Sequence, residues 1–379
     1  MSNILSTQSS TTQKRLESLD ILRGFVLFLL VFLEPIINGL ARCTNSEAFH
    51  LLASQFQHEP WVGIKFWDMV MPLFLFMTGM AMPFSFSKYN EKTNKRKVYK
   101  RILRRVALLW LFGLIVQGNI LALDIKSIYL FSNTLQAIAV GYLVASVMLL
   151  HFNTRQQIFL TTLLLLLYAV PMMLNGNFSP TSNFANSIDE AILGRFRDGV
   201  FWISNTEWQF SSHYHYTWVF SSLTFPVTVM LGAFANKILM YFKGNSSKTL
   251  LCLASVGIGL IILGGLWHYS LPIIKPIWTS SMALFTGGIC FLFVCLFYYL
   301  IDVKSMKGLG WLKVYGMNSI IAYVIGMVIN FRGVGHSFLF GLEKYLTPCY
   351  YAVLLTLFNF GLLFLILHFL YKKRIFIRL

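Results

Sequence analysis

The sequence predicts an all-α, polytopic integral membrane protein of about ten transmembrane helices with both termini cytoplasmic. Three observations lead there. Of 379 residues, 56% are hydrophobic and only 12% charged, with a mean hydropathy of +0.65, whereas soluble domains carry about 25% charged residues. That little charge cannot cover a compact fold in water, so an ordinary soluble domain and a disordered chain are both excluded. The apolar residues also fall in runs of about 20, the length that crosses a bilayer core. Finally, Lys and Arg outnumber Asp and Glu by 31 to 14, for a formal net charge of +17. In a soluble chain this would suggest nucleic acid; in an apolar chain it marks topology, and no nucleic-acid partner is expected.

The runs lie near residues 20–40, 64–87, 102–120, 134–151, 158–174, 217–242, 250–268, 277–301, 312–330 and 349–371. With the N-terminal segment 1–19 inside, 22 cations fall on inner segments and 8 on outer ones, and Arg23 lies within the first helix. The inner set includes Lys14 and Arg15, nine cations between Lys88 and Arg105, and four after Tyr371. The outer set is Arg42, Lys65, Lys126, Arg195, Arg197, Lys275, Arg332 and Lys344. The first run follows a polar stretch and precedes many others, so it reads as a retained helix rather than a cleaved signal peptide. No separate soluble domain or internal repeat is visible, and residues 1–379 read as one transmembrane domain. Two outer segments are long, 41–63 and 175–216. The second carries Trp202, Trp208, His213, Tyr214, His215 and Tyr216, either as an interfacial aromatic belt or as a functional loop. Cys43, Cys252, Cys290, Cys295 and Cys349 form no C-x-x-C pair and sit mostly in apolar runs, so neither a disulfide framework nor a metal site is expected.

Ionisable groups within spans cost about 2.5 to 3.5 kcal/mol on insertion scales, so each needs a partner or a purpose. Asp20 and Arg23 are three apart and share a helix face. Glu34 lies deeper in the same run beside Pro35, where proline frees backbone carbonyls and suggests a kink near a cavity. His58-Glu59-Pro60-Trp61-Val62-Gly63 then precedes Asp68 at the outer end of the second run. A carboxylate that accepts from one imidazole nitrogen fixes the tautomer and raises the basicity of the other, as acyl transfer requires. Asp68 also suits a simple helix-start role.

Several motifs carry a resemblance. Ser18-x-Asp20-x-x-Arg23-Gly24, His58-x-x-Trp61-x-Gly63 and Asp68-x-x-x-Pro72-x-Phe74-x-Phe76-x-x-Gly79 are followed by Leu135-Gln136-x-Ile138-Ala139, Pro272-x-x-Lys275-x-x-Trp278-x-x-Ser281 and Gly316-Met317-Asn318-Ser319-Ile320. Together, in this order, they resemble the heparan-α-glucosaminide N-acetyltransferase family of transmembrane acetyltransferases. The resemblance implies an enzyme that takes acetyl from cytoplasmic acetyl-CoA and delivers it to an amino sugar or glycan across the membrane. It puts the catalytic histidine at His58, as a general base or a transient acetyl carrier, with no metal. Where family members commonly carry Asn, this chain has Glu34, a carboxylate that cannot donate a hydrogen bond unless protonated. The animal enzyme's extra luminal domain has no counterpart here, so a bacterial inner membrane is expected.

The candidate catalytic residues are therefore His58, Asp68 and Glu34. Lys275, Trp278, Asn318 and Trp61 are candidates for substrate binding; Lys275 stands out because the outer side is poor in cations, with snorkelling as its plain alternative. Asn318 can bind an acyl or amide group or glue helices together. Arg104, Arg105, Lys237 and Arg23 are candidates for the phosphates of acetyl-CoA, with topological anchoring as the alternative. The bilayer, acetyl-CoA and the glycan acceptor are the expected partners, and a homodimer is compatible with them. The rival readings are an O-acyltransferase of a cell-envelope glycan and a proton-coupled transporter or flippase.

Overall fold

A computed structural model describes residues 16–44, 46–86, 95–213 and 216–376. Lys14, Arg15, Lys88, Lys92, Tyr214, His215 and Arg378 lie outside the described residues. The described residues are mostly helical. Helix α1 (Glu17–Phe28) continues through a π-helical segment, Leu29–Leu33, into α2 (Glu34–Cys43). Pro35, at the start of α2, has no N–H and crowds the carbonyl one turn earlier, which accounts for the widened turn just before it. The outer segment that follows holds α3 (Glu47–Gln55) and a 3-10 turn, Phe66–Met69, that opens α4 (Val70–Phe86). Then come α5 (Lys95–Val116), α6 (Thr134–His151) and α7 (Thr154–Asn175). Asn133 caps α6, its Oδ1 accepting from the N–H groups of Leu135 and Gln136, and Asn153 and Gln156 form a capping box on α7.

The described residues of the segment 175–216 include α8 (Phe184–Leu193) and a hairpin of β1 (Val200–Trp202) on β2 (Trp208–Phe210), Val200 facing Phe210. After it run α9 (Phe225–Tyr241), α10 (Ser246–Trp267) and α11 (Ser280–Phe297). The ninth predicted run breaks at Asn318 into α12 (Leu312–Met317) and α13 (Ser319–Val328). A short helix, α14 (Phe331–Leu339), precedes the last, α15 (Pro348–Lys372).

Among the described residues, eight helices can cross a membrane by length and composition, or nine if α13 and the segment Phe331–Tyr345, bent by 67°, count as one span. The expectation of about ten differs chiefly at α5, whose first half carries Lys100, Arg101, Arg104 and Arg105. It still runs between the two faces of the bundle, because Tyr99 bonds His151 near its start and Gln117 lies beside the cavity of His58 just past its end. The protein is thus an all-α polytopic membrane protein.

The span containing α9 is the innermost, with 72% of its apolar window buried, whereas α10 and α15, at 22% and 17%, present most of their surface to lipid. Glycine sets a close crossing in this core. A Cβ on Gly79 of α4 would overlap the carbonyl of Val229, and one on Gly232 of α9 would overlap that of Phe76. Loops assigned to the same side meet. Trp61 Nε1 donates to the Phe178 carbonyl at 2.7 Å on one face, while Lys313 Nζ meets Glu17 Oε1 at 2.7 Å and Asn318 Nδ2 donates to the Ile375 carbonyl at 3.1 Å on the other.

One expectation is overturned. Cys43 and Cys349 form a disulfide that joins the end of α2 to the start of α15, with Cα atoms 5.4 Å apart. They are 306 residues apart in sequence, so local spacing could not reveal a pairing made by two helix ends. Cys252, Cys290 and Cys295 are free.

Candidate functional site

The site begins with two irregular segments held edge to edge. Val62 and Ile274 form an isolated antiparallel bridge, and the Gly63 N–H donates to the Ile273 carbonyl at 2.9 Å. Gly63 has φ +119°, a conformation that side chains resist. This pairing sets the His58 loop against the loop that carries Lys275.

Asp68, fully buried in the turn before α4, organises the contact. Its Oδ2 accepts the backbone N–H groups of Lys65 at 2.9 Å and Glu59 at 3.1 Å, which fixes the loop around it. Its Oδ1 lies 2.7 Å from His58 Nδ1 and accepts from Lys275 Nζ at 3.0 Å, while Nζ is 2.8 Å from Nδ1. The three atoms form a triangle that cannot hold three good hydrogen bonds with Lys275 cationic and Nδ1 protonated, because two donors would then face each other. The cluster must share its protons. Burial pushes the Lys275 amine below its ordinary range, and the Asp68 carboxylate pushes back. With Nδ1–H donating to Asp68, Nε2 carries the free lone pair, and the His58 side chain is 49% exposed.

His58 and Lys275 line one end of a cavity of about 380 Å³ whose apolar walls come largely from α4, α6 and α13. Its far lining reaches Ser319, next to Asn318, which bonds the chain near Ile375 on the opposite face. Tyr216 and Trp218 form part of the wall, their rings stacked 6.1 Å apart. Burial, with the Asp68 charge adding to it, raises the Tyr216 phenol to about 12, so it stays a neutral donor.

Of the predicted residues, His58, Asp68 and Lys275 are brought together. Glu34 accepts from Asn38 Nδ2 at 2.7 Å and shares with His58 a second, more polar cavity of about 470 Å³. Trp61 ties the His58 loop to Phe178. Trp278 is buried against Phe225 with Nε1 on Thr228 Oγ1 at 3.4 Å, a packing position outside the cavities. Asn318 lies at the break between α12 and α13, away from His58. Arg23 reaches Asp20 and the Met77 carbonyl, both at 3.4 Å. Arg105 covers the Tyr142 ring at 4.3 Å, Arg104 is exposed on the same helix, and Lys237 donates to Thr154 Oγ1 at 3.0 Å. These four cations have no contact with the His58 cluster.

Sequence reasoning missed Trp218 and the side chains that hold it. Asp198 accepts from Trp218 Nε1 at 3.0 Å and Asp189 accepts the Trp218 N–H at 2.6 Å. The one available signal was the density of aromatics near residue 216. No group of three or more His, Cys, Asp or Glu among the described residues is placed to hold a metal ion.

A family model described as a domain of unknown function (DUF5009) matches residues 15–157. The match covers Glu34, His58 and Asp68 and ends well before Lys275. No curated protein matches the chain.

Proposed function

We propose that the protein is a transmembrane acetyltransferase that moves acetyl from acetyl-CoA at the cation-rich, cytoplasmic face to an amino sugar or glycan on the opposite side of a bacterial inner membrane. One observation carries the reading. A His58 with one edge open, backed by a buried carboxylate and amine, stands at the head of a cavity whose lining runs toward the opposite face. Buried groups that fix a histidine tautomer beside an accessible cavity are what acyl transfer needs. The motif resemblance supplies the donor and the acceptor class.

Two routes use these residues. In the first, Nε2 attacks the thioester carbonyl, the C–S bond breaks and the leaving thiolate takes a proton; the acceptor amine then attacks the acetyl carbon, the bond to Nε2 breaks, and the surplus amine proton returns to the imidazole. In the second, Nε2 takes the amine proton while the nitrogen attacks the thioester carbonyl directly, the C–S bond breaks, and the leaving thiolate takes that proton from Nε2. Asp68 holds the ring in both, and Tyr216 is near enough to Asp68 to feel its charge. Lys275 donates to Asp68 Oδ1 and holds the carboxylate against the ring.

An O-acyltransferase acting on a cell-envelope glycan would use the same groups. Glu34, within a span and between two cavities, favours a second reading, proton-coupled transport. Purified protein in detergent, given acetyl-CoA and a panel of amino sugars, separates them: acetyl transfer detected by mass spectrometry and lost in His58→Ala supports the enzyme. An intact thioester alongside substrate counterflow in liposomes supports the carrier.

A further inference from the structure

A third cavity, of about 610 Å³, lies beside the site. Its walls are the α1–α2 span, α13 with the bend that follows it, and α15. Apolar side chains such as Val31, Met327, Ile329 and Leu363 line most of it, and Met327 and Ile329 are 51% and 44% exposed. Two charges break the apolar lining. Glu34 belongs both to this cavity and to the polar one that holds His58, and Arg332 sits exposed on its rim. Arg332 is one of the few cations on the outer face, where topology gives no reason for one. A guanidinium beside an apolar cavity suits a phosphate.

From this order of surfaces, apolar cavity, Arg332, Glu34, His58, we infer that the acceptor is an amphiphile: an amino sugar joined through a phosphate to a hydrocarbon chain, which enters sideways from the bilayer. The chain occupies the cavity and the phosphate meets Arg332. The sugar passes Glu34, which accepts from its ammonium or hydroxyl groups, and reaches His58. This rests on the acyl-transfer reading and deepens it, because a lipid-held acceptor is delivered to a half-buried His58 that a free sugar would have to find from water.

The test uses full-length protein in nanodiscs and a glucosaminyl dodecyl phosphate with a diazirine at the chain end. Irradiation is expected to label residues 326–331 or the Leu363 region of α15, with competition by the unmodified amphiphile and none by glucosamine 1-phosphate. Gly326, where a Cβ would meet nothing within 4 Å, can be changed to Trp to fill the cavity, and Gly326→Trp is expected to abolish the label. In acetyl transfer, the amphiphile should exceed free glucosamine in kcat/KM by about tenfold or more, and Gly326→Trp should bring that ratio near one. Label spread over the lipid-facing helices and indifferent to competitor overturns the inference, as does equal transfer to both acceptors, and either leaves the acyltransferase reading intact. Confined, competable label with no transfer to any acceptor upholds the amphiphile site and overturns acyl transfer.

Discussion

Two clusters of buried charge lie on the outer side of the bundle, and they are built differently. In the cluster around the long loop, Asp189 accepts the backbone N–H groups of Trp218, Val219 and Phe220 at 2.6, 3.0 and 3.3 Å, and Asp198 is taken up by the Trp218 indole. Arg197, 2% exposed, donates to Glu190 at 3.0 Å and to Asn186 at 2.5 Å. Each carboxylate serves the chain itself, and none of these groups lines a cavity described above. The His58 cluster is equally buried at Asp68 and Lys275, yet it leaves one ring edge facing open space. Buried charge alone therefore marks architecture as readily as chemistry. The distinguishing feature is an unspent group at a cavity. The first cluster serves the second by holding Tyr216 and Trp218 in the site wall.

The contrast breaks most sharply at His58. His58→Ala is expected to lower acetyl transfer by about 10²- to 10⁴-fold, the range for a positioned acid–base group, while thermal unfolding stays within a degree or two of the parent. Asp68→Asn should lose activity as well, because an amide cannot hold the same tautomer. If His58→Ala unfolds the protein instead, the two clusters are alike.

The loop cluster should show the opposite pattern. Arg197→Met leaves Glu190 and Asn186 facing an apolar side chain, and breaking a buried pair costs about 3–5 kcal/mol. A large fall in Tm is expected, with the protein that remains folded keeping its KM for acetyl-CoA. A change in KM with an unaltered Tm would place Arg197 in the site rather than behind it.

These differences explain how much the sequence disclosed. Hydrocarbon thickness sets the length of an apolar run, and the cations mark the ends, so spans and sidedness can be read directly. The Pro35 kink and the nearness of His58 to Asp68, ten residues on, are local and equally readable. Lys275 comes from 217 residues away; its rarity as an outer cation was visible, its contact with His58 was not. Trp278 and Asn318 carry motif positions but spend their polar groups on Thr228 and the Ile375 carbonyl. The loop cluster was silent because the acceptors of Asp189 and its neighbours are matched to backbone N–H groups, which no residue pattern encodes.

The disulfide tests whether the outer rim of the site is a firm frame. Cys43→Ser should lower stability by about 2–4 kcal/mol, seen as a drop in Tm under oxidising conditions. Parent and variant should converge once reductant is added. A parent protein indifferent to reductant would show that α2 and α15 are held by packing alone.

The smallest expected effect concerns pH and separates the clusters by their protons. Burial, working against three backbone donors and Arg197, raises Asp189 to about 6 from an ordinary value of 3.8. Between those two values the native state binds more protons than the unfolded one, so stability is greatest below the lower value and falls as pH rises through the window. The loss is at most about 3 kcal/mol and is complete just above pH 6. Asp198, which burial also pushes upward, contributes in the same sense. Tm measured from pH 4 to 7 should decline in the parent, and the slope should flatten in Asp189→Asn even though that variant is less stable throughout, its amide nitrogen now opposing the Trp218 N–H. A slope that survives in Asp189→Asn but vanishes in His58→Ala would move the titrating group into the His58 cluster, and the division between a spent network and an unspent one would fail.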